Sequence, residues 1–91
     1  MRREEIPEAP VLHPHDMLTA RELDVLRCLA YGLNNRSIAT QLVVAEKTVE
    51  YRLTRIYAKL GVITRIQAAV WAIQHGLVSL DDLGNHLMHD L

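Results

Sequence analysis

The stretch that decides the fold is TVEYRLTRIYAKL, residues 48–60. Its apolar side chains recur at the spacing of one face of an α-helix, and they are Val49, Leu53, Ile56 and Leu60. We expect these four side chains to lie in a hydrophobic core. The other face has a different chemistry, and it carries Lys47, Glu50, Tyr51, Thr54, Arg55 and Ala58, flanked by Arg52 and Lys59.

A helix with one apolar face and one face of basic, hydroxyl and aromatic side chains suits the major groove of DNA. A short helix and a tight turn before it, within residues 34–45, would complete a helix-turn-helix. The same pattern is also typical of a solvated surface helix. This helix alone leaves both interpretations open, and its neighbours in the sequence must decide between them.

The composition indicates one small domain. The chain has 91 residues, 49% of them hydrophobic, with no Phe and one Cys. The core must therefore consist of Leu, Ile, Val and Ala, which favours closely packed helices. No apolar run approaches the ~20 residues of a membrane span, and no apolar signal-peptide segment is found, so we expect a cytoplasmic protein without membrane contact. Cys28 lies among leucines, and we expect a buried small residue rather than a nucleophile.

The net charge of −1 hides an uneven distribution. Residues 1–16 carry a net charge of −2 and residues 78–91 carry −3, whereas residues 17–77 hold eight basic and four acidic side chains, a net +4. Because attraction to phosphate depends on the local field, the basic middle of the chain is compatible with DNA binding even though the whole chain is slightly acidic.

Capping signals define the expected helices. Thr19 followed by Glu22, and Thr64 followed by Gln67, are capping boxes at the starts of a first and a fourth helix. The expected elements are a first helix closed by Gly32, a second capped by Asn34 or Asn35 and running to Leu42, a turn at residues 43–45, a third helix Glu46–Leu60 ended by Gly61, and a fourth over residues 66–75 ended by Gly76. The sequence thus predicts an all-α fold.

Both ends of the chain lie outside this pattern. Residues 1–16 hold all three prolines and show no helical or strand period, so we predict a linker or flexible arm. Residues 78–91 contain leucines at helical spacing, and we predict a C-terminal helical extension there, a fifth helix. Of two histidine pairs, His13 with His15 lies beside a proline and could bind a metal only weakly, and His86 with His89 is spaced for one helix face without a Cys nearby. We therefore expect no metal and no other cofactor.

Three segments carry a family resemblance: LTARELDVLRCLAYGLNNRSIATQL (residues 18–42), TVEYRLTRIYAKLGV (48–62) and TRIQAAVWAIQHGL (64–77). Together they resemble the LuxR-type (GerE/FixJ-type) helix-turn-helix of bacterial transcription regulators. The resemblance implies a four-helix domain over residues 17–77, whose third helix enters the major groove and whose fourth helix forms a two-fold dimer contact. Such domains usually end longer regulators and are sometimes free-standing, and both forms remain open for this chain.

The resemblance also implies roles for single residues. Contacts to base edges fall to Glu50, Tyr51 and Thr54, and Arg55 reaches either a base edge or a phosphate. Contacts to phosphate fall to Asn35, Arg36, Lys47, Thr48, Arg52, Lys59 and Arg65, with an acidic partner as an equal alternative for Arg65. The dimer contact falls to Val70, Trp71 and Gln74, although Trp71 could equally shield the domain's own core.

Four positions depart from the usual pattern of that family. Ala45 stands where Ser usually caps the third helix, which costs ~1 kcal/mol. Glu50 stands where Lys or Arg is common; a carboxylate cannot hold phosphate, but it accepts a hydrogen bond from the amino group of cytosine. Arg52 replaces a common His, and Ser37 replaces a common Glu. These departures leave the fold intact and bear on affinity and sequence preference.

The expected function is sequence-specific binding of double-stranded DNA by a homodimeric transcription regulator, with RNA polymerase as a further candidate partner. The alternative is a protein-interaction module that has kept the fold and lost DNA binding, which Glu50 and the acidic C-terminus would suit. The DNA-binding region of a sigma factor fits less well because the fourth helix is capped. The sequence contains no catalytic triad, paired-carboxylate, metal or phosphate-loop constellation, so an enzyme is not expected.

Overall fold

The computed structural model describes residues 17–79, and four α-helices lie wholly within that range. They are α1 (Ala20–Ala30), α2 (Asn35–Leu42), α3 (Glu46–Leu60) and α4 (Arg65–Gln74). No strand occurs among these residues, so the all-α prediction is confirmed for the part of the chain that the structure describes. The predicted arm, the predicted fifth helix beyond residue 79 and both histidine pairs lie outside the described residues.

Both predicted capping boxes are present. At the start of α1 the Thr19 hydroxyl accepts a hydrogen bond from the backbone N–H of Glu22 at 3.1 Å, and Glu22 Oε1 accepts one from the N–H of Thr19 at 2.8 Å. At the start of α4, Thr64 and Gln67 exchange the equivalent bonds, both at 3.1 Å. Because Thr64 is the cap itself, α4 begins at Arg65, one residue earlier than the prediction.

The ends of α2 and α3 settle the remaining boundaries. Asn34, rather than Asn35, caps α2, with its side chain accepting from the N–H of Ser37 at 2.8 Å. The predicted turn between α2 and α3 contains Val43 in the left-handed conformation, with φ 57° and ψ 52°. Ala45 makes no side-chain capping bond to α3, as expected from its methyl group. Gly61, with φ 70°, ends α3 where predicted, since glycine adopts that conformation without steric cost.

The core forms where α1 contacts each of the other three helices. Its fully enclosed large side chains are Leu26, Ile38, Ile56, Val25 and Val49. Leu18 and Leu23 are buried around the cap of α1, as a hydrophobic staple requires, and Cys28 is buried as predicted. Leu60 was expected in the core, but it lies in the last turn of α3 and is only partly buried against the core. The core therefore fixes one face of α3 and leaves the other to solvent.

Two observations bear on membranes and metals. Within residues 17–79 no single helix is long and apolar enough to cross a bilayer, and only α3 and α4 taken together, across a 62° bend, meet that test of length and composition. Among the same residues no three His, Cys, Asp or Glu side chains gather into a cluster that could hold a metal ion.

Candidate nucleic-acid interface

The outward face of α3 brings together the four side chains expected to contact bases. Glu50, Tyr51, Thr54 and Arg55 are all exposed, with Tyr51 at 62%. The opposite face is fixed by Val49, Leu53 and Ile56, which are all buried against the rest of the domain. The four polar residues therefore project from a rigid support on one continuous surface. We call this surface the α3 face.

Hydrogen bonds order the side chains of the α3 face. The Thr54 hydroxyl donates to the backbone carbonyl of Glu50 at 3.1 Å, one turn earlier in the helix. Arg55 Nη1 donates to the Tyr51 hydroxyl oxygen at 3.4 Å, and the guanidinium carbon lies 5.8 Å from the centre of the Tyr51 ring. The hydrogen bond to Tyr51 raises the pKa of Arg55, so this group stays positively charged. Both pairs join residues four apart, which share one row of the helix surface.

Glu22 is a member of this region that the sequence did not reveal. Its side chain is buried at 4% exposure, yet it lies behind the C-terminal half of α3. Oε1 accepts a hydrogen bond from Lys59 Nζ at 2.7 Å in addition to its capping bond from Thr19. Oε2 lies 3.6 Å from Arg55 Nε. One carboxylate thus caps α1 and pairs with two cations of α3.

The environment of Glu22 favours its charged form. Burial alone would raise its pKa, but the hydrogen bonds from Lys59 and from the N–H of Thr19, together with the charge of Lys59, outweigh burial and lower the pKa below its usual value. Cys28, by contrast, has its pKa raised by burial and by the nearby Asp24, which keeps the thiol protonated and unreactive.

Three of the residues expected to contact phosphate, Lys59, Arg65 and Asn35, have side-chain hydrogen bonds within the protein. Lys59 is bound to Glu22, and its side chain is only 30% exposed. Arg65, at the start of α4, donates to Asn35 Oδ1 at 2.8 Å and to the Leu33 carbonyl at 2.7 Å. Among the described residues, the partners of Arg65 are therefore an amide and a backbone carbonyl, and not an acid. These bonds tie the start of α4 to the start of α2, and they orient the Asn35 amide so that its NH₂ group points away from Arg65.

The other residues expected to contact phosphate have fewer side-chain contacts within the protein. Arg36 and Lys47 are exposed, and neither side chain has a hydrogen bond or ion pair to a described residue. Thr48 is half-buried in the first turn of α3. Arg52 is half-buried too, and its Nη1 atom is enclosed without any hydrogen-bond partner among residues 17–79. A buried guanidinium nitrogen with no acceptor is costly. An anion or carbonyl oxygen that accepted a hydrogen bond from Arg52 would therefore be stabilising.

The residues expected at a dimer contact lie along α4. Val70 is 45% exposed, and Gln74, one turn later, is exposed as well. Trp71 is half-buried and stacks on His75, with ring centres 3.7 Å apart and planes inclined by 13°. Sequence reasoning missed Ile66, which is 76% exposed one turn before Val70, since apolar side chains in this helix were expected to be covered.

Comparisons with known proteins indicate the family of this chain. The family pattern GerE, described as bacterial regulatory proteins of the luxR family, matches residues 16–72. The chain is 45% identical over 65 residues to the transcriptional regulatory protein YdfI of Bacillus subtilis, covering 71% of this chain and 30% of YdfI. It is 44% identical over 66 residues to the transcriptional regulatory protein LiaR of the same organism, covering 72% of this chain and 31% of LiaR.

A relative from another organism gives the same picture. The nitrate/nitrite response regulator protein homolog of Haemophilus influenzae is 45% identical over 58 residues, which cover 64% of this chain and 28% of that protein. The chain thus spans less than a third of the length of these relatives. It belongs to the luxR family of bacterial regulatory proteins and contains the DNA-binding helix-turn-helix of those transcription regulators.

Proposed function

We propose that residues 17–77 form the DNA-binding domain of a homodimeric transcription regulator, with α3 in the major groove and α4 between the two copies. Residues 1–16 serve as an arm, and residues 78–91 as a helical extension of the domain. The protein acts on the chromosome in the bacterial cytoplasm, with RNA polymerase as a further partner. It has no catalytic activity of its own.

The observation that carries this proposal is the α3 face. Its 15-residue helix is about 22 Å long at ~1.5 Å per residue, which is enough to cross a major groove ~12 Å wide. Glu50, Tyr51 and Thr54 reach base edges from the middle of this helix. Arg55 reaches a base edge or a phosphate from the next position. A helix held by its buried face and polar on its outward face meets the geometric needs of a recognition helix.

Phosphate contacts flank that face. Arg36, Lys47 and Arg52 are the first candidates, because none of their side chains has an ion pair to a residue in the range 17–79. Asn35 and Thr48 add polar contacts near the starts of α2 and α3, where free N–H groups favour an anion. Lys59 and Arg65 contribute positive charge to the same region while they hold their protein partners.

The dimer contact is assigned to the exposed row of α4. Val70 and Gln74 would meet the same row of the second copy, and Trp71 would close the contact at its edge. Ile66 extends the apolar part of this row towards the start of α4. Two copies joined in this way would contact half-sites about one helical turn, ~10 bp, apart.

The experiment is fluorescence anisotropy of the 91-residue chain with a labelled mixed-sequence duplex at several salt concentrations. We expect log K to fall linearly with log salt, by about 0.9 for each phosphate neutralised. Arg52→Ala and Arg55→Ala should each weaken binding several-fold. Arg27→Ala is the matched control, because Arg27 lies on α1 and its one ion pair within residues 17–79 is with Asp24, which is about 40% exposed.

The same experiment distinguishes DNA binding from the alternative function. A folded protein that fails to bind DNA at ~50 mM salt, where counterion release favours binding most, would contradict the proposal. It would support a protein-interaction module, for which the exposed apolar side chains Ile63 and Ile66 would be the contact surface.

A further inference from the structure

The first row of the α3 face presents only hydrogen-bond acceptors. Glu50 has no hydrogen bond or ion pair from its side chain to any described residue, and a carboxylate has no proton to donate. Thr54 has already given its hydroxyl hydrogen to the Glu50 carbonyl, which leaves its oxygen lone pairs facing outward. Glu50 and Thr54 are one turn apart, so this row offers acceptors at two successive levels along the helix.

The neighbouring row presents donors. The Tyr51 oxygen accepts a hydrogen bond from Arg55, so the phenolic hydrogen of Tyr51 is left to point outward. Arg55 is a donor at every nitrogen, and more than half of its side chain is exposed. Each acceptor on the first row thus has a donor beside it on the second: Glu50 beside Tyr51, and Thr54 beside Arg55.

This division matches one base pair better than the others. Across the major groove a C·G pair presents the cytosine amino group on one side and the two guanine acceptors, O6 and N7, together on the other. A T·A pair instead places its amino group between two acceptors and adds a methyl group at the edge. An acceptor row beside a donor row is therefore complementary to C·G, with cytosine under the acceptors.

We infer that α3 recognises two C·G base pairs whose cytosines lie on the same strand, Glu50 with Tyr51 on one pair and Thr54 with Arg55 on the other. Four residues of helix rise by ~6 Å, and two base-pair steps span about 6.8 Å, so the two pairs lie about two steps apart. This inference rests on the proposed function and names the DNA sequence feature that the same surface selects.

The test is selection of bound duplexes from a randomised pool by the 91-residue chain, followed by affinities for the selected duplex and for single-pair changes in it. We expect two C·G pairs in the selected half-site, each favoured about tenfold over T·A. Glu50→Lys replaces an acceptor with a donor at an exposed position. It should remove the preference for C·G at one of the two pairs, because the new donor would face the amino group of cytosine, and leave the other pair unchanged.

The second arm removes the Thr54 acceptor. Thr54→Val keeps the shape of the side chain and should weaken the preference at the other C·G pair, where Arg55 remains as the donor to guanine. Thr40→Val is the matched control, because Thr40 is an exposed threonine on α2 that donates to the Arg36 carbonyl in the same way. The control should leave both preferences as they are.

Two results would overturn the inference without touching the proposed function. One is salt-dependent binding to a half-site that contains no C·G pair. The other is a half-site whose preference is unchanged in both Glu50→Lys and Thr54→Val. If the unmodified chain bound no DNA at all, the proposed function itself would be refuted.

Discussion

Val43 shows how a single residue can act against the stability of the fold. It is the only residue other than glycine with positive φ in the range 17–79, and its side chain is 88% exposed. A left-handed conformation costs an L-residue roughly 1–2 kcal/mol because Cβ approaches the following carbonyl. A β-branched side chain suits it least. Since the side chain of Val43 is almost fully exposed, its packing does not offset this cost.

Val43→Asn should therefore stabilise the domain. Asparagine adopts the left-handed conformation more readily, so we expect a gain of about 1 kcal/mol in the free energy of unfolding. For a domain of this size the melting temperature should rise by about 4–8 °C in a thermal denaturation followed by circular dichroism. Ile63→Asn is the control, because Ile63 is 84% exposed but has no positive φ. A lower melting temperature for Val43→Asn would contradict the explanation by strain.

The sequence predicts some residue roles and conceals others for a physical reason. Periodicity places Val49 and Leu53 in the core because a helix repeats every 3.6 residues. The left-handed conformation of Val43 escaped prediction, since nothing local marks a valine for it. The partners of Arg65 escaped as well, because the acceptors on Asn35 and Leu33 lie 30 and 32 residues away.

Among the helices, α1 and α3 are joined by Glu22, which takes part in the cap of α1 and pairs with Lys59 of α3 at 2.7 Å. The capping role was predictable, because Thr19 and Glu22 are three residues apart. The pairing was not, since 37 residues separate Glu22 from Lys59. Helix boundaries could be predicted to within about one residue wherever a cap was present, as at Thr64. How the helices pack depends on contacts between distant residues, which local patterns do not contain.

The Glu22 link makes stability depend on pH in a defined direction. Its pKa is lowered in the folded state, from an ordinary value of 4.5. The unfolded chain therefore binds this proton more readily, and the stabilisation is complete above that ordinary value. It is lost as the pH falls through the lower pKa of the folded state.

Glu22→Gln should remove this pH-dependent part. We expect the variant to lose about 1–2 kcal/mol in the free energy of unfolding at pH 7, and the difference from the unmodified chain to shrink below pH ~4. Urea titrations at pH 7, 5 and 3.5 measure it. Asp24→Asn is the control, because the pair of Asp24 with Arg27 is longer, at 3.9 Å, and about 40% exposed on both sides. If Glu22→Gln were as stable as the unmodified chain at pH 7, the cost of burying the charge of Glu22 would equal the stabilisation from its pair with Lys59.

For the whole molecule, the proposed dimer makes DNA affinity depend on two copies acting together. Once one copy of a dimer is bound, the second copy is held near the other half-site at a high effective concentration. This raises the affinity of the dimer by orders of magnitude without new contacts. Val70 is the residue at which to test this, because it lies on the exposed row of α4 and is 45% exposed. Replacing it should disturb a contact between copies more than the fold of one copy.

Val70→Glu introduces a good helix former that carries a charge into the proposed contact. We expect this variant to sediment as a monomer at concentrations where the unmodified chain is a dimer. We also expect its affinity to fall at least tenfold for a duplex with two half-sites and to change little for a duplex with one. Ala20→Glu is the charge-matched control at an exposed position of α1. Equal losses on both duplexes would place Val70 at the DNA rather than between copies, because a residue that only joins the copies cannot weaken binding to a single half-site.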